Sequence, residues 1–132
     1  MNIKYMHPAE QLVMILGRIY TKRMTTTSGG NLSIMDEEGN LWVTPSGIDK
    51  GTLTVADICQ IKPDGTVIGK HRPTSELPFH QSVYAVRPDV KAVLHAHPQA
   101  LVSYSLVKKT PDTHIVPEPH LVCGEIGYAE YD

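Results

Sequence analysis

The sequence predicts an α/β fold, in the broad sense of a layered sheet covered by helices. Apolar residues recur at helical spacing in some segments, whereas other segments hold short apolar runs divided by Gly and Asn. Neighbouring runs joined by tight turns favour hairpins, and hairpins argue against a purely parallel sheet. The 132 residues, 41% of them hydrophobic, suffice for a real core. We therefore expect residues 1–132 to form a single domain.

The first half of the chain predicts one helix followed by two hairpins. Apolar positions recur at helical spacing from residue 7 to residue 24, and Pro8 suits the first helical turn. Strands are expected around residues 32–35 and 41–44, with "DEEGN" as the turn between them. The segment "DICQIKPDGTVIG" repeats this pattern around a Pro-Asp-Gly turn, which predicts the second hairpin.

The second half of the chain predicts two more helices around one strand. "ELPFHQSVYAVR" has helical character, and the dipeptide Arg87-Pro88 ends that helix. The next segment, "AVLHAHP", is predicted to be a strand that carries His95 and His97. "PQALVSYSLV" predicts a short helix, and the Pro-rich "TPDTHIVPEPH" predicts a loop with at most a short strand.

Composition and charge exclude several classes of partner. The formal net charge is -2, and the Lys and Arg residues are scattered, so we expect neither nucleic acid nor a membrane surface as partner. The longest apolar stretch, "LVMIL", is too short to span a bilayer, and the N-terminal residues lack a signal-peptide segment, so a cytoplasmic location is expected. Cys59 and Cys123 lie far apart and predict inert thiols rather than a disulfide.

Two histidines share one face of the predicted strand. Residues i and i+2 of a strand point to the same side, so the imidazoles of His95 and His97 can converge on one ion. Neutral imidazole is the commonest metal ligand, and a catalytic Zn²⁺ usually takes three protein ligands. The plainer interpretation is that an alternating strand carries histidines with a structural or surface role.

Three short stretches of small polar residues fall in predicted loops: "SGGN" at residues 28–31, "TPSG" at residues 44–47 and "TSE" at residues 74–76. Backbone N–H groups and hydroxyl or amide side chains in such loops can bind phosphate without a lysine. The alternatives are that the first two stretches are only turns, and that Thr74 and Ser75 cap the next helix.

The order of these motifs resembles the class II aldolase/adducin family, and in particular its zinc-dependent aldolases of the fuculose-phosphate type. The motifs "SGGNLSI", "VTPSGID", "RPTSELPFH" and "VLHAHP" occur in the family's order, and the resemblance runs from about residue 9 to about residue 107. It implies an αβα sandwich with a central, mainly antiparallel sheet. It also implies assembly as a homotetramer with active sites at subunit interfaces.

The resemblance also implies roles for individual residues. His95 and His97 match two zinc ligands, and Glu76 matches a carboxylate that touches the metal and serves as the catalytic acid/base. The implied cofactor is Zn²⁺ or another divalent metal. The pocket for the substrate phosphate is matched by Asn31, Ser46, Gly47, Thr74 and Ser75.

Two features of the family's pattern are not found in these 132 residues. The family's third zinc histidine lies well beyond the histidine pair, so we expect the chain to be the N-terminal part of a longer protein with an incomplete metal site. If this chain alone binds zinc tightly, the third ligand must be His80, His114 or His120. The family's tyrosine after the histidine region is also unmatched, with Tyr128 a distant candidate.

The expected activity is a lyase reaction on a phosphorylated sugar. A ketose 1-phosphate would be cleaved through an enediolate to dihydroxyacetone phosphate and a short aldehyde. An epimerase, decarboxylase or dehydratase on the same scaffold is an alternative, although epimerases of the family resemble one another in having Asp where this chain has Glu76. A non-catalytic, adducin-like module is a further alternative, but such modules lack the metal ligands.

Overall fold

The computed structural model describes residues 3–130, except for the side chain of residue 4. The chain divides into two compact units, one up to Ala96 and the other from His97 onward. The units are described separately below. The single domain expected from the sequence stays a prediction.

The first helix, α1 (Pro8–Thr21), begins where the sequence predicts. His7 is its N-cap: the side chain of His7 accepts from the backbone N–H of Ala9, while the carboxylate of Glu10 accepts from the backbone N–H of His7. Pro8 occupies the first turn, where its missing N–H costs nothing. This local hydrogen bonding sets the start of the helix.

A five-stranded antiparallel sheet forms the centre of the first unit. Its strands are β1 (Asn31–Met35), β2 (Leu41–Val43), β3 (Cys59–Ile61), β4 (Val67–Ile68) and β5 (Ala92–His95). They lie in the order β4-β3-β2-β1-β5, and every pair of neighbours is antiparallel. Both predicted hairpins are present, and β5 pairs with β1 at the opposite edge of the sheet from β4.

One face of the sheet packs against α1. Because side chains alternate along a strand, Leu32 and Ile34 of β1 point to this face together with Trp42 of β2. Fully or nearly buried residues of α1 complete this half of the core: Ala9, Leu12, Leu16 and Ile19. Burial of this apolar surface is the main stabilising contribution of α1.

The opposite face of the sheet packs against α2 (Leu77–Val86). Tyr84 and Leu77 of this helix meet an apolar cluster formed by residues of β2 and β3: Leu41, Val43, Cys59 and Ile61. Helices therefore cover both faces, which confirms the αβα sandwich with an antiparallel sheet. The same face also carries Asn31 and Ser33 of β1 and His95 of β5, so α2 lies against polar as well as apolar side chains.

The strand with the histidine motif is shorter than predicted. β5 ends at His95, opposite Asn31, which is the first residue of β1. Gly30, the residue before Asn31, has a left-handed φ of +73°. It turns the chain away just before β1 begins, so the ladder between β1 and β5 cannot continue. His97 therefore lies beyond the strand, and the alternation of a strand does not decide its direction.

The second unit is helical. It contains α3 (Gln99–Leu106), a 3₁₀ turn (Thr113–Ile115) and α4 (Pro117–Cys123). The prediction of a loop with at most a short strand over residues 110–120 is therefore wrong. Pro117 starts α4 and Pro119 also lies in its first turn, where proline is tolerated, so these prolines mark a helix start rather than a loop.

The sequence predicts neither a membrane-spanning segment nor a disulfide. Among the helices of residues 3–130, none combines the length and the apolar composition needed to cross a bilayer. Cys59 is buried and Cys123 is exposed, and both are free thiols. Burial raises the pKa of the Cys59 thiol, which keeps it protonated and unreactive at neutral pH.

A buried carboxylate joins the segment before β3 to the segment after β4. Asp57 Oδ2 accepts from the backbone N–H and the hydroxyl of Thr54, at 2.8 and 2.6 Å, and so caps the 3₁₀ turn Val55–Asp57. Asp57 Oδ1 lies 2.8 Å from Lys70 Nζ and 2.9 Å from His71 Nε2. The ion pair with Lys70 and the hydrogen bonds from Thr54 hold the pKa of Asp57 well below its usual range.

We expect the Asp57→Asn variant to be less stable than the parent at neutral pH and less sensitive to acid. A carboxyl group with a lowered folded-state pKa stabilises the fold above its unfolded pKa, near 3.9, and this contribution is lost as the pH falls toward the folded pKa. Urea unfolding across the acidic range measures both effects. Exposed Glu37 in the β1–β2 turn supplies the control Glu37→Gln. If the free energy of unfolding had the same pH dependence in the parent and in Asp57→Asn, the stabilising role of the Asp57 carboxylate would be contradicted.

Candidate active site

Glu76 and His95 meet at the edge of the first unit. Glu76 is the N-cap residue of α2, and His95 is the last residue of β5. His95 Nδ1 and Glu76 Oε2 form a short hydrogen bond. Their side chains are 28% and 43% exposed, respectively, so both contact solvent. A carboxylate and an imidazole, separated by 19 residues in the sequence, thus form one accessible polar pair.

Asn31 completes this pair from the neighbouring strand. It lies opposite His95 in the β1–β5 register, and its Nδ2 donates to Glu76 Oε2 at 3.1 Å. Partial burial raises the pKa of Glu76, but the hydrogen bond from Asn31 and the interaction with His95 outweigh this effect and lower it overall. Glu76 is therefore a carboxylate at neutral pH, in the form that can accept a proton.

A buried polar cluster lies beneath these three residues. His80 of α2 hydrogen-bonds through Nε2 to Asn31 Oδ1 and through Nδ1 to Ser33 Oγ, the latter at 2.7 Å. Ser33 Oγ lies 2.8 Å from the hydroxyl of Tyr84. Both ring nitrogens of His80 thus have protein partners, which argues against His80 as a third metal ligand. The spacing from Glu76 to His80 is one helical turn, and this signal could have found the cluster in the sequence.

An exposed aromatic ring stands beside the candidate site. The Phe79 side chain is 51% exposed, and its ring centroid lies 6.3 Å from that of His95 and 5.7 Å from that of His80. Both pairs are edge-on, an arrangement that aromatic rings prefer. Phe79 therefore gives the site an apolar wall that the sequence motifs did not indicate.

Two of the three predicted phosphate-binding stretches run side by side. Pro45 and Pro73 form an isolated antiparallel bridge, which joins the "TPSG" stretch to the residues before Glu76. Thr74 donates its backbone N–H to Thr44 O at 3.1 Å, and Ser46 donates its own to Arg72 O at 2.9 Å. Because these two amides already donate within the protein, a phosphate would have to use the hydroxyls of Ser46 and Thr74 rather than their N–H groups.

The third stretch, "SGGN", also lies beside "TPSG". Ser28 and Gly47 line one cleft of about 330 Å³ together with Thr27, Ile48 and Asp49. Ser46, Gly47 and Ser75 are not buried, whereas Asn31 and Thr74 are buried. The structure thus brings "SGGN" next to "TPSG" and "TPSG" next to "TSE". The N-cap of α2 is Glu76 rather than Thr74 or Ser75, but Thr74 Oγ1 accepts from the backbone N–H of Glu76 at 3.3 Å, so the helix-capping alternative holds in part for Thr74.

A buried lysine links "TPSG" to the residue that precedes "SGGN". Lys50 is 5% exposed, and its Nζ donates to Pro45 O at 3.0 Å while its backbone N–H donates to Thr27 O at 3.0 Å. Burial lowers the pKa of this ammonium group. Sequence reasoning missed Lys50 because lysine is ordinarily exposed, and nothing in its local pattern indicates otherwise.

The metal ligands predicted from the sequence are only partly assembled in the described residues. A ligating histidine commonly donates one ring N–H to a carboxylate, as His95 Nδ1 does to Glu76, and this leaves Nε2 of His95 as the nitrogen that can bind zinc. His95 therefore fits a zinc site, whereas Glu76 lies at the opposite ring nitrogen and its role as a zinc ligand stays a prediction. In residues 3–130, however, no group of three or more His, Cys, Asp or Glu side chains is arranged to hold a metal ion.

The other histidines considered as ligands lie in the second unit. The rings of His114 and His120 are neighbours, with centroids 4.1 Å apart. His114 Nδ1 lies 3.2 Å from Asp112 Oδ1, and His120 Nδ1 lies 3.2 Å from the hydroxyl of Thr113. The role of His97 as a ligand stays a prediction that rests on its spacing from His95.

Comparison with known families identifies the family of this chain. The family model described as "Class II Aldolase and Adducin N-terminal domain" matches residues 10–132. The chain belongs to this family, which confirms the resemblance inferred from its four motifs. Proteins of the family are generally metal-dependent.

Individual relatives have more than one activity in their names. The chain is 35% identical over 122 residues to L-fuculose phosphate aldolase of Methanococcus maripaludis, covering 92% of this chain and 66% of the relative. It is 32% identical over 111 residues to methylthioribulose-1-phosphate dehydratase of Citrobacter koseri, covering 80% of this chain and 52% of that protein. The chain thus spans between about half and two thirds of the length of these relatives.

A solved structure of L-fuculose 1-phosphate aldolase has the same architecture. It superposes with a TM-score of 0.71 at 30% identity, over 77% of this chain and 49% of the other. The likeness agrees with the antiparallel sheet and the two helical layers described above. The chain corresponds to about half of that protein.

A glycine allows the close approach between the start of β1 and His95. A Cβ on Gly30 would lie 2.5 Å from Thr25 Oγ1 and 2.9 Å from the carbonyl oxygen of His95. Its φ of +73° is also one that side chains rarely adopt. Only glycine therefore allows β1 to begin this close to His95.

We expect Gly30→Ala to lower stability by more than about 1 kcal/mol and to displace His95 from Glu76. Gly17→Ala is the matched control, because Gly17 lies in α1 and a Cβ added there would meet nothing within 4 Å. That change should stabilise the protein by about 0.5–1 kcal/mol. Urea unfolding measures both variants, and equal stabilities would contradict the packing described for Gly30.

Proposed function

We propose that this chain forms the catalytic part of a zinc-dependent lyase that cleaves a ketose 1-phosphate to dihydroxyacetone phosphate and a short aldehyde. The single observation that carries the proposal is the contact of Glu76 with both His95 and Asn31, in which Glu76 and His95 are open to solvent. The name of the aldolase relative at 35% identity supports the reaction class. Glu76 is the catalytic residue in this proposal.

The substrate phosphate would bind among Asn31, Ser46, Gly47, Thr74 and Ser75. Support comes from the adjacency of the loops that carry them and from the cleft beside Gly47. The hydroxyls of Ser46, Thr74 and Ser75 and the amides of Gly47 and Ser75 are the donors that this arrangement offers. Such a pocket needs no arginine, since convergent N–H and O–H groups bind phosphate well.

The proposed ligands of the zinc ion are His95, His97 and Glu76. For His95 the support is its hydrogen bond to a carboxylate, which leaves Nε2 for the metal, and for Glu76 and His97 it is the sequence motif alone. When bound, Zn²⁺ supplies a Lewis acid that stabilises negative charge developing on substrate oxygens. Another divalent metal with similar ligand preferences would serve the same purpose.

Glu76 would carry out the proton transfer. In cleavage, the hydroxyl on the carbon that becomes the aldehyde loses its proton as the carbon–carbon bond breaks and an enediolate remains. The carboxylate of Glu76 would take up that proton, directly or through water, and return it to the enediolate carbon to give dihydroxyacetone phosphate. In the synthetic direction the carboxylate would remove the proton from the same carbon. Asn31 and His95 both donate to Oε2, which fixes the direction of the carboxyl group. A positioned acid/base of this kind contributes roughly 10²–10⁴-fold in rate.

A dehydratase acting on a sugar phosphate is the second candidate. The name of the Citrobacter koseri relative favours it, and the same carboxylate would then remove a proton before loss of water. The two candidates differ in their products, because only the lyase releases dihydroxyacetone phosphate. An epimerase or a decarboxylase on this scaffold would differ from the lyase in its products as well.

Assembly and location complete the proposal. A homotetramer with active sites at subunit interfaces and a cytoplasmic location are proposed for the whole protein. Both rest on the family resemblance and on the composition of the sequence. The partner in the reaction is a small phosphorylated sugar.

Replacing Glu76 with Gln tests the function directly. In the complete zinc-loaded protein, we expect Glu76→Gln to lower kcat for cleavage of ketose 1-phosphates by about 10²–10⁴-fold, because the amide cannot transfer the proton. Release of dihydroxyacetone phosphate measures the rate. Affinity for inorganic phosphate should stay near that of the parent, since the proposed phosphate donors are unchanged.

Glu37→Gln serves as the control, because Glu37 is exposed in the β1–β2 turn and away from the candidate site. Its kcat should equal that of the parent. A Glu76→Gln variant that cleaves as fast as this control would exclude Glu76 from the chemistry. A parent protein that dehydrates the substrate without releasing dihydroxyacetone phosphate would favour the second candidate.

A further inference from the structure

An unbroken row of hydrogen bonds runs from the interior of the sheet to the candidate catalytic carboxylate. Its members are, in order, Tyr84, Ser33, His80, Asn31 and Glu76. His80 is completely buried, and Ser33, Asn31 and Tyr84 are each less than a tenth exposed. Burying four polar side chains is costly unless every one is hydrogen-bonded, so the row has to be satisfied as a unit.

The carboxylate of Glu76 determines the direction of the two hydrogen bonds nearest to it. An ionised carboxylate only accepts, so Asn31 must turn its NH₂ group toward Glu76 and its carbonyl oxygen toward His80. That oxygen can only accept as well. His80 must therefore carry a proton on Nε2 and donate it to Asn31.

The same reasoning fixes the remaining hydrogens. A neutral histidine with its proton on Nε2 accepts at Nδ1, so the hydroxyl of Ser33 donates to His80. The oxygen of Ser33 then accepts from the hydroxyl of Tyr84. Every hydrogen in the row points toward Glu76, and hydrogen bonds aligned in this way strengthen one another.

The neutral form of His80 agrees with its surroundings. Burial lowers the pKa of His80 below its ordinary value, although the charge of Glu76 acts in the opposite direction. Its hydrogen-bond partners are an amide and a hydroxyl, and neither carries a charge that would hold an imidazolium.

Building on the proposed function, we infer that His80 is a positioning residue that holds the Asn31 amide with its NH₂ group toward Glu76. Without this restraint, the Asn31 side chain can rotate and present its oxygen to the carboxylate, which would repel it. His80 has no contact with solvent and so acts on the reaction only through Asn31. Its loss should lower kcat while leaving KM nearly unchanged.

The first experiment reads the protonation of His80 without using activity. ¹⁵N-labelled histidine in the complete protein should give, near neutral pH, a His80 ring with its proton on Nε2 and none on Nδ1. A proton on Nδ1, alone or together with Nε2, would overturn the inference. This measurement needs no variant and no substrate.

The second experiment compares two replacements of His80. The amide nitrogen of Gln can take the place of Nε2 and donate to Asn31, whereas Leu cannot donate. Solvent exchange of the Asn31 side-chain amide hydrogens should be slow in the parent and in His80→Gln but faster in His80→Leu. Equal exchange in His80→Leu and the parent would overturn the inference. If His80→Leu does not fold, the histidine spectrum of the parent and the exchange in His80→Gln decide.

The third experiment measures catalysis in the zinc-loaded protein. We expect kcat of His80→Leu to fall by about 10–100-fold at nearly constant KM, as for other residues that orient a reactive group, and His80→Gln to recover most of it. Parental kcat in His80→Leu would overturn the inference. If the parent itself cleaves no ketose phosphate, the proposed function fails, while the histidine spectrum and the exchange rates still decide the role of His80.

Asn40→Leu is the matched control for a lost buried polar side chain. Asn40 is 7% exposed and hydrogen-bonds to Asp36 in the β1–β2 turn, outside the row. This variant should lose stability but keep the parental kcat and the slow exchange of Asn31. A fall in kcat that matched that of His80→Leu would mean that general destabilisation, rather than positioning, lowers the rate.

Discussion

The pairing of Asn31 with His95 is the interaction on which the candidate site depends. The two residues lie opposite each other at the end of the β1–β5 ladder, so their side chains leave the sheet on the same face. The start of α2 brings Glu76 to this point, and the carboxylate accepts a hydrogen bond from each of them. A shift of one residue in this register would separate the two side chains, because one of them would then turn to the face covered by α1.

The two faces of the sheet have different tasks. The face under α1 is apolar along β1 and stabilises the fold through burial. The face under α2 is apolar toward β3 and polar toward β5, where Ser33, His80 and Tyr84 form a fully hydrogen-bonded base for Asn31. The polar half gives up apolar burial, but it fixes the orientation of groups at the candidate site, which an apolar packing could not do.

Much of this arrangement could be predicted from the sequence, and the exceptions have physical reasons. Periodicity and turn residues located α1, both hairpins, α2 and α3, because each has a local signal. The four motifs indicated Glu76 and His95. The end of β5 was misjudged because it depends on where its partner strand begins, at Gly30 and Asn31, which no local pattern encodes. The short helix α4 was missed because proline at a helix start resembles proline in a loop. The role of Lys50 follows from burial, which only the folded chain defines, whereas His80 has a local signal in its spacing of one helical turn from Glu76.

The central claim is that Glu76, held by Asn31 beside His95, exchanges a proton with the carbon of an enediolate. The claim can be tested with dihydroxyacetone phosphate as the only substrate and no aldehyde present. The synthetic direction begins with removal of a proton from the hydroxymethyl carbon of this compound. In D₂O, the zinc-loaded complete protein should replace one hydrogen of that carbon with deuterium, as followed by ¹H NMR, and a chelator should stop the exchange. Exchange no faster than in a protein-free sample would contradict the claim.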